Sequence, residues 1–599
     1  MKTEHMIHHV LILLTAGVCF AGKPYEDRIY EPVVLQGGQI KPVADAHIPP
    51  SEIFVYAYKN NAFEMIPFQI DERVILNDPD LSREDDQRER HFYVTRNLNS
   101  EYDAANSARA DTLPYFDKDD ELVFLLKDAG DREINHLWID DDDSRKYPRY
   151  ELSLTDPISN ETAYVYLFRS VTMTMPESVA NRYAMSFDPE THTAQSLAYS
   201  VRINRTNGFL SDIVIKPPYG NGQDIFDAQK LRLNGHFELG LGFDLDFYRN
   251  DANSATESIL YLYDNADYLA FSEKPVVRVF REVRQALKLG SGPLENTQFY
   301  VKTKFYPFSA SFEGGALLDP EALKETFDDP SIEIAIEIDY LRQSWDFNAN
   351  ASGMTFFNEK NNAIPVDGVM DSPDTGIDTE DDRLRVWSML TGNQGTFFNW
   401  FELAETDWDD ISLYYYDNKA GGQMDNDMLI ASDSGEPGCY GEHGLRFIKA
   451  AQDKPLNIDF SFTAFFMEPN QNRSTGEYLK DAMIHRLETG THAQTYVTSV
   501  ESGQTRPDFF GLQPNFPNPF NMDTRISFIL DRSAHVKLSV LDEKGRTVRI
   551  LSESDYNAGT HQLQWNGCDT AGQTLPSGVY FVRLETREWR DQIKITMLK

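Results

Sequence analysis

The 599-residue sequence contains only 3 Cys. That scarcity excludes a disulfide-stapled scaffold, and no Cys/His spacing matches a zinc or haem site. Basic residues are also in short supply, with 56 Lys+Arg against 95 Asp+Glu and a formal net charge of −39. A field of that sign repels phosphate backbones and anionic headgroups, which argues against nucleic acid as a partner and against a peripheral membrane role. Long apolar runs are missing too. The longest, Val10 to Ala21, falls short of the ~20 residues a membrane-spanning helix needs. Gly-x-Ser-x-Gly, P-loop, dinucleotide and His-Glu-x-x-His patterns do not occur, so the common hydrolase, nucleotide and zinc-protease chemistries lack their signatures.

What the N-terminus does have is a short basic start at Lys2, an apolar core through Leu11–Leu14, and small residues at Cys19 and Ala21. That pattern predicts a signal peptide over residues 1–21 with cleavage after Ala21. Lipidation at Cys19 is the competing reading, but Ala16-Gly17-Val18 is a poor preceding sequence for it. The mature chain is then expected outside the cytoplasm, without a transmembrane segment. Its remaining cysteines, Cys439 and Cys568, fall in separate predicted domains and are expected as thiols.

The acidity is unevenly distributed. From Arg506 onward there are 12 basic and 11 acidic residues, whereas residues 22–505 hold 43 basic and 83 acidic. Such a shift marks a domain boundary. The tail alternates apolar and polar residues over Arg525–Leu530, Val536–Leu541, Gln562–Trp565 and Tyr580–Glu585, with Gly and Asp between, which predicts a small immunoglobulin-like sandwich. The string Leu512-Gln513-Pro514-Asn515-Phe516-Pro517-Asn518-Pro519-Phe520-Asn521 resembles the opening of the C-terminal sorting domain of type IX secretion cargo. That domain is in turn similar to the immunoglobulin-like domain of flagellar hook-capping proteins. The resemblance continues through Gly545, Gly559, Trp565, Gly567, Asp569, Gly572, Gly578 and Tyr580 to a basic terminus at Lys599. It implies the type IX secretion machinery as partner and passage through the periplasm to the medium or the outer cell surface, with Asn518, Pro519 and the positions just named as the sorting motif.

The body reads as all-β. Apolar, β-branched and aromatic runs recur with Asn, Asp, Gly and Pro between them, and Thr475–Leu487 is the best helical pattern, with Pro320–Phe327 a short second. The polar segment 171–194 predicts a linker between an N-terminal β-sandwich (22–170) and a larger many-stranded sandwich (195–500). A second linker (501–511) leads to the immunoglobulin-like domain (512–599). The strings Ile66–Glu72 and Asp119–Phe124 are similar to secreted bacterial proteins, some of which carry supersandwich folds associated with polysaccharide processing.

Three residue sets bear on chemistry. Asp117, Asp119, Asp120 and Glu121 put hard oxygen ligands in one turn, as Ca²⁺ requires, although the EF-hand pattern is incomplete; Asp140–Asp143, Asp371–Asp382 and Asp417–Asp427 are further acidic clusters. Trp345, Trp387, Trp400, Trp408 and Tyr414-Tyr415-Tyr416 offer faces for sugar rings, with about half expected in a core. Tyr440, Glu442 and His443 are expected in a Gly-rich loop and are the acid/base candidates; His236, His485 and His492 stand as alternatives with no motif around them. Taken together these predict a secreted or surface β-sandwich protein that binds or processes an extracellular polysaccharide. As an enzyme it would be a lyase or a glycoside hydrolase. The alternative is a non-enzymatic surface protein stabilised by Ca²⁺.

Overall fold

A computed structural model describes residues 28–76, 90–93, 113–134, 136–204, 209–237, 242–247, 260–264, 270–271, 275–289, 292–318, 336–377, 383–404, 408–420, 439–450 and 456–496, and 511–598 except 514, 516, 522, 531, 532, 558, 588 and 589. Antiparallel sheets dominate, as the alternation predicts, and the chain divides into two compact units, Met1–Tyr496 and Val497–Lys599. No helix among the described residues is long and apolar enough to cross a membrane.

In the first unit, a three-stranded sheet (Pro32–Gln36, Glu121–Leu125, Phe68–Asp71) faces a five-stranded one (Glu488–Gln494, Arg149–Thr155, Thr162–Arg169, Ile53–Lys59, Ala62–Met65). Val33, Leu122 and Phe124 from the first meet Val55, Leu152 and Val165 from the second in one buried cluster. Each large side chain enclosed there contributes roughly 1.5–3 kcal/mol. The strand Glu488–Gln494, expected in the larger sandwich, instead pairs with Arg149–Thr155 as the edge of this sheet.

A 10-stranded sheet and a second five-stranded sheet form the larger sandwich. Along Leu456–Met467, Phe462, Ala464 and Phe466 enter the core shared with Trp345 and Phe347 of the facing sheet, while Ser461, Thr463 and Phe465 take the other side. Period-two alternation therefore leaves a second, more polar face on the large sheet. Residues 172–193 differ from the expected polar linker. They form a helical turn, Glu177–Ala180, and the strands Ser186–Asp188 and Thr193–Gln195 of a four-stranded sheet. Sparse apolar residues suffice to anchor this segment: Tyr183, Met185 and Ala194 are buried in the large core.

The main helix runs Arg473–Ile484, with Asn472 Oδ1 accepting a hydrogen bond from the Ser474 amide at 2.9 Å as its N-cap. Gly476 lets it approach the sheet, since a Cβ there would lie 2.4 Å from Trp387 Cζ3. The expected second helix, Pro320–Phe327, lies outside the described residues. Ion pairs join the two sandwiches of this unit: Arg278 bonds Asp71 through Nε at 2.9 Å and reaches Glu121 at 2.7 Å, while Arg73 holds Glu121 at 2.8 Å.

The second unit pairs a three-stranded sheet with a four-stranded one around Ile526, Phe528, Val536, Leu538, Trp565 and Val582. This is the predicted immunoglobulin-like sandwich in miniature.

Candidate functional site

Tyr440, Glu442 and His443 do not sit in a loop. They belong to the strand Cys439–Ala450, and the neighbouring glycines serve packing. Gly444 allows close approach of the neighbouring strand, where a Cβ would fall 2.0 Å from Gln343 O, and Gly441 has φ +73 with Val366 against it. Strand alternation then sends Glu442 and His443 to opposite faces. His443 stacks on Phe347 at 5.3 Å, its Nδ1 sits 2.9 Å from Gly441 O, and Nε2 is buried with no partner. Burial holds its pKa down at about 4, against the weaker opposing effects of the Gly441 carbonyl and Glu442, so the ring is neutral at pH 7. Tyr440 packs half-buried against the core.

Glu442 enters a charge cluster on the far face of the five-stranded sheet. It accepts from Ser344 Oγ at 2.6 Å and pairs with Lys230 at 3.3 Å and Arg342 at 3.4 Å. Lys230 also meets Asp346 at 3.1 Å, and Arg342 lies 4.3 Å from the Tyr414 ring centre. Among the described residues, Lys230 and Arg342 face Asp346 and Glu442 here, each group almost fully buried. Asp346, Cys439 and Glu442 lie close enough together for a metal, but the Lys230 ammonium stands between the two carboxylates and neutralises them.

The proposed calcium ligands are also committed elsewhere. Asp120 accepts from the Arg73 and Asp117 amides at 3.0 and 2.9 Å, and Asp117 Oδ1 accepts from the Asp119 amide at 2.8 Å. Glu121 lies between the Arg73 and Arg278 guanidiniums, and its pKa falls to about 2: burial would raise it, but Arg278, Lys304 and Arg73 together outweigh that. A metal ion at Glu121 would have to displace two arginines.

The aromatic residues expected to offer sugar-binding faces are mostly interior. Trp345, Trp387, Trp400, Tyr414, Tyr415 and Tyr416 are all buried. The side chains of Trp408 and His236 lie outside the described residues. His485 caps the helix end with Nδ1 3.0 Å from Asp481 O, and His492 lies on the edge strand Glu488–Gln494.

A groove of about 360 Å³ is the better-formed site, and it is one the sequence reading missed. Its floor is the second face of the large sheet. Lys304, Ser311, Thr463 and Trp400 form one row across four strands, with Glu313, Ser461 and Glu402 in the next. Residues Glu31–Leu35 make one wall, and Met483, Arg486 and Thr489 another. The carboxylates at the rim are paired, Glu313 with Lys304 at 2.8 Å and Glu402 with Arg385 at 3.3 Å. Glu31 is different. Burial pushes its pKa up to about 7 and Asp156 adds to the rise, overcoming Arg28 at 3.3 Å and Arg486. Two floor donors, Trp400 Nε1 and Ser309 Oγ, are buried without a partner. The signal was present in the sequence as the alternations Ser309-Ala-Ser311-Phe-Glu313 and Ser461-Phe-Thr463-Ala-Phe465, each a strand with one hydroxyl-rich and one apolar face.

In the second unit, the sequence-predicted motif residues have clear local roles. Asn518 precedes a cis Pro519 and accepts from the Thr596 amide at 2.8 Å. Gly545, Gly559, Gly567 and Gly572 all take positive φ, the conformation that favours glycine. Trp565 is buried, donates from Nε1 to Cys568 O at 3.0 Å and meets the Tyr580 ring at 5.6 Å. Asp569 Oδ1 accepts from two amides of its own turn, and Gly578 opens the strand that carries Tyr580. Lys599 lies outside the described residues.

Fold and site together define an antiparallel β-sandwich protein with a grooved body and an immunoglobulin-like C-terminal domain. Residues 517–588 match the sequence profile of the FlgD Ig-like domain. No curated protein matches the chain. Among solved structures it aligns with a polysaccharide lyase at 6% identity and TM-score 0.25, covering 67% of this chain and 46% of that one. Dimeric latent PorU from Porphyromonas gingivalis aligns at 11% identity and TM-score 0.14, covering 54% and 31%. PorZ, a surface component of the type-IX secretion system of the same organism, aligns at 11% identity and TM-score 0.12, covering 73% and 49%. The chain spans less than half the length of each of these structures, and TM-scores of this size do not establish a common fold.

Proposed function

We propose that this chain is an exported β-sandwich protein whose body binds an extracellular polysaccharide in the groove between Glu31–Leu35 and the large sheet. Its C-terminal immunoglobulin-like domain acts as a type IX sorting signal, carrying it through the periplasm to the medium or the outer surface. The groove supports the first part: it falls within the ~300–1,000 Å³ range of ligand pockets and carries the hydroxyls of Ser311, Ser461 and Thr463, groups of the kind that orient a polyhydroxylated ligand. The family match at 517–588 and the motif residues in their turns support the second. Binding is favoured over bond cleavage because Tyr440, Glu442 and His443 do not converge on one cavity.

A glycan array probed with the full chain, run beside a uronate-lyase absorbance assay, tests the body. Retention without product is the expected result, and silence in both overturns the reading. Deleting Asp508–Lys599 is expected to trap the protein in the periplasm; unchanged export would remove the sorting role.

A further inference from the structure

We propose that the groove holds its sugar along the open edge of the strand Pro32–Gln36, with Val34 N–H donating to one sugar hydroxyl and the Pro32 and Val34 carbonyls accepting from others. This inference rests on the reading of the groove as a polysaccharide site, and it names the backbone groups that position the ligand.

Strand register defines which groups are open. Pro32–Gln36 is the edge of its three-stranded sheet and, among the described residues, pairs only with Glu121–Leu125. The Leu126 amide donates to Glu31 O at 3.2 Å, and the Gly37 amide donates to Asp120 O at 2.9 Å. Antiparallel pairing alternates, so Glu31, Val33, Leu35 and Gly37 turn their polar groups toward the neighbouring strand, while Pro32, Val34 and Gln36 turn theirs to the other side. That side is the groove. Every residue from Glu31 to Leu35 lines it, odd and even positions alike, as happens when a cavity runs along a strand's edge and not over one of its faces. Pro32 and Val34 are partly exposed, whereas Val33 and Leu35 are buried in the core of the first sandwich.

The make-up of this edge favours a sugar over a peptide strand. An added β-strand calls for a donor and an acceptor at every second residue of the edge it joins. Pro32 has no N–H, and the Gln36 amide is already bonded to Gln39 Oε1 at 2.9 Å, with the Gln36 carbonyl accepting from the Gln39 amide at 2.8 Å. One donor, Val34 N–H, is left beside the carbonyls of Pro32 and Val34. A peptide laid there would keep most of its own carbonyls unanswered. A sugar hydroxyl, in contrast, turns to donate or to accept as each backbone group requires. The hydroxyls of Ser311, Ser461 and Thr463 on the groove floor add partners of the same versatility.

The test uses the full chain, with cellohexaose, xylohexaose, hexagalacturonate and any glycan retained on the array as probes. Hydrogen–deuterium exchange resolved to single amides is expected to show Val34 N–H exchanging faster than Val33 N–H in the free chain and slowing when a probe binds. Val34→Pro deletes this donor at a position where the sheet ladder does not use it, and is expected to weaken binding about tenfold, the size of one lost hydrogen bond. Val34→Ala keeps the amide and is expected to bind within about twofold of the parent. Should Val34→Pro fail to fold, the exchange measurement on the parent chain decides. A Val34 amide as protected as that of Val33 in the free chain, no slowing with bound glycan, or Val34→Pro binding as Val34→Ala does, overturns this inference and leaves the polysaccharide reading standing. If no probe binds and the array is also silent, both fall.

Discussion

Glu442 and His443 are consecutive in the chain and lie on opposite sides of one sheet, the carboxylate 3.3 Å from the Lys230 ammonium and the imidazole stacked 5.3 Å from the Phe347 ring. A single peptide bond thus separates a buried ionic cluster from an aromatic core. Neither residue can assist the other in proton transfer.

Their separation makes His443 a liability in acid. Its pKa is depressed from 6.5 to about 4, so the unfolded chain takes up a proton where the folded one does not, and stability is lost as pH falls through that window. His443→Phe keeps an aromatic ring in the stack but gives up the contact to Gly441 O, worth about 1 kcal/mol. The variant is expected to melt lower than the parent at pH 7 and higher at pH 4, where the parent has lost up to about 3 kcal/mol. Parallel stability curves across that range would show that the ring is not held neutral.

Glu31 has the opposite sign. Its pKa is raised from 4.5 to about 7, so its contribution is fully present below pH 4.5 and is lost as pH rises through 7. Glu31→Gln should match the parent at pH 4.5 and exceed it at pH 8, as read from melting temperature against pH. An unchanged slope in the variant would place the titration elsewhere.

Arg278 links Asp71 and Glu121 across the two sandwiches of the first unit. Arg278→Met leaves two buried carboxylates short of a cation and is expected to cost about 3–5 kcal/mol, far above the 0–1 of a surface pair. The loss should be greatest near neutral pH and shrink as pH falls toward 4, where buried carboxylates deprived of their cation can take up protons. Denaturant unfolding at the two pH values checks both the size and the trend. A loss below about 1 kcal/mol would mean that Arg73 alone suffices for Glu121.

Much of the architecture was legible. Period-two alternation identified an all-β chain, and turn glycines such as Gly545 and Gly572 marked the tail because their positive φ is a backbone property written in the sequence. The polar run at 171–194 misled, since Tyr183, Met185 and Ala194 were too few to produce a periodic signal yet were enough to dock the segment. The loop expected around the acid/base candidates is a strand for a related reason. Glycines that suggested a flexible loop are in fact required by neighbouring backbone, as at Gly444 beside Gln343. The groove was hidden because its members, from Glu31 to Thr489, come together only through pairing between strands far apart in the chain.

The edge strand Glu488–Gln494 closes a sheet whose other members all precede residue 170, with Arg149 Nε bonding Gln494 Oε1 across 345 positions of chain. Chain synthesis proceeds from the N-terminus, so this first sandwich keeps an unpaired border while more than 300 further residues are made. Completion of the body therefore coincides with arrival of the segment just before the immunoglobulin-like unit. Closure of the first domain becomes a late event, timed by the far end of the body.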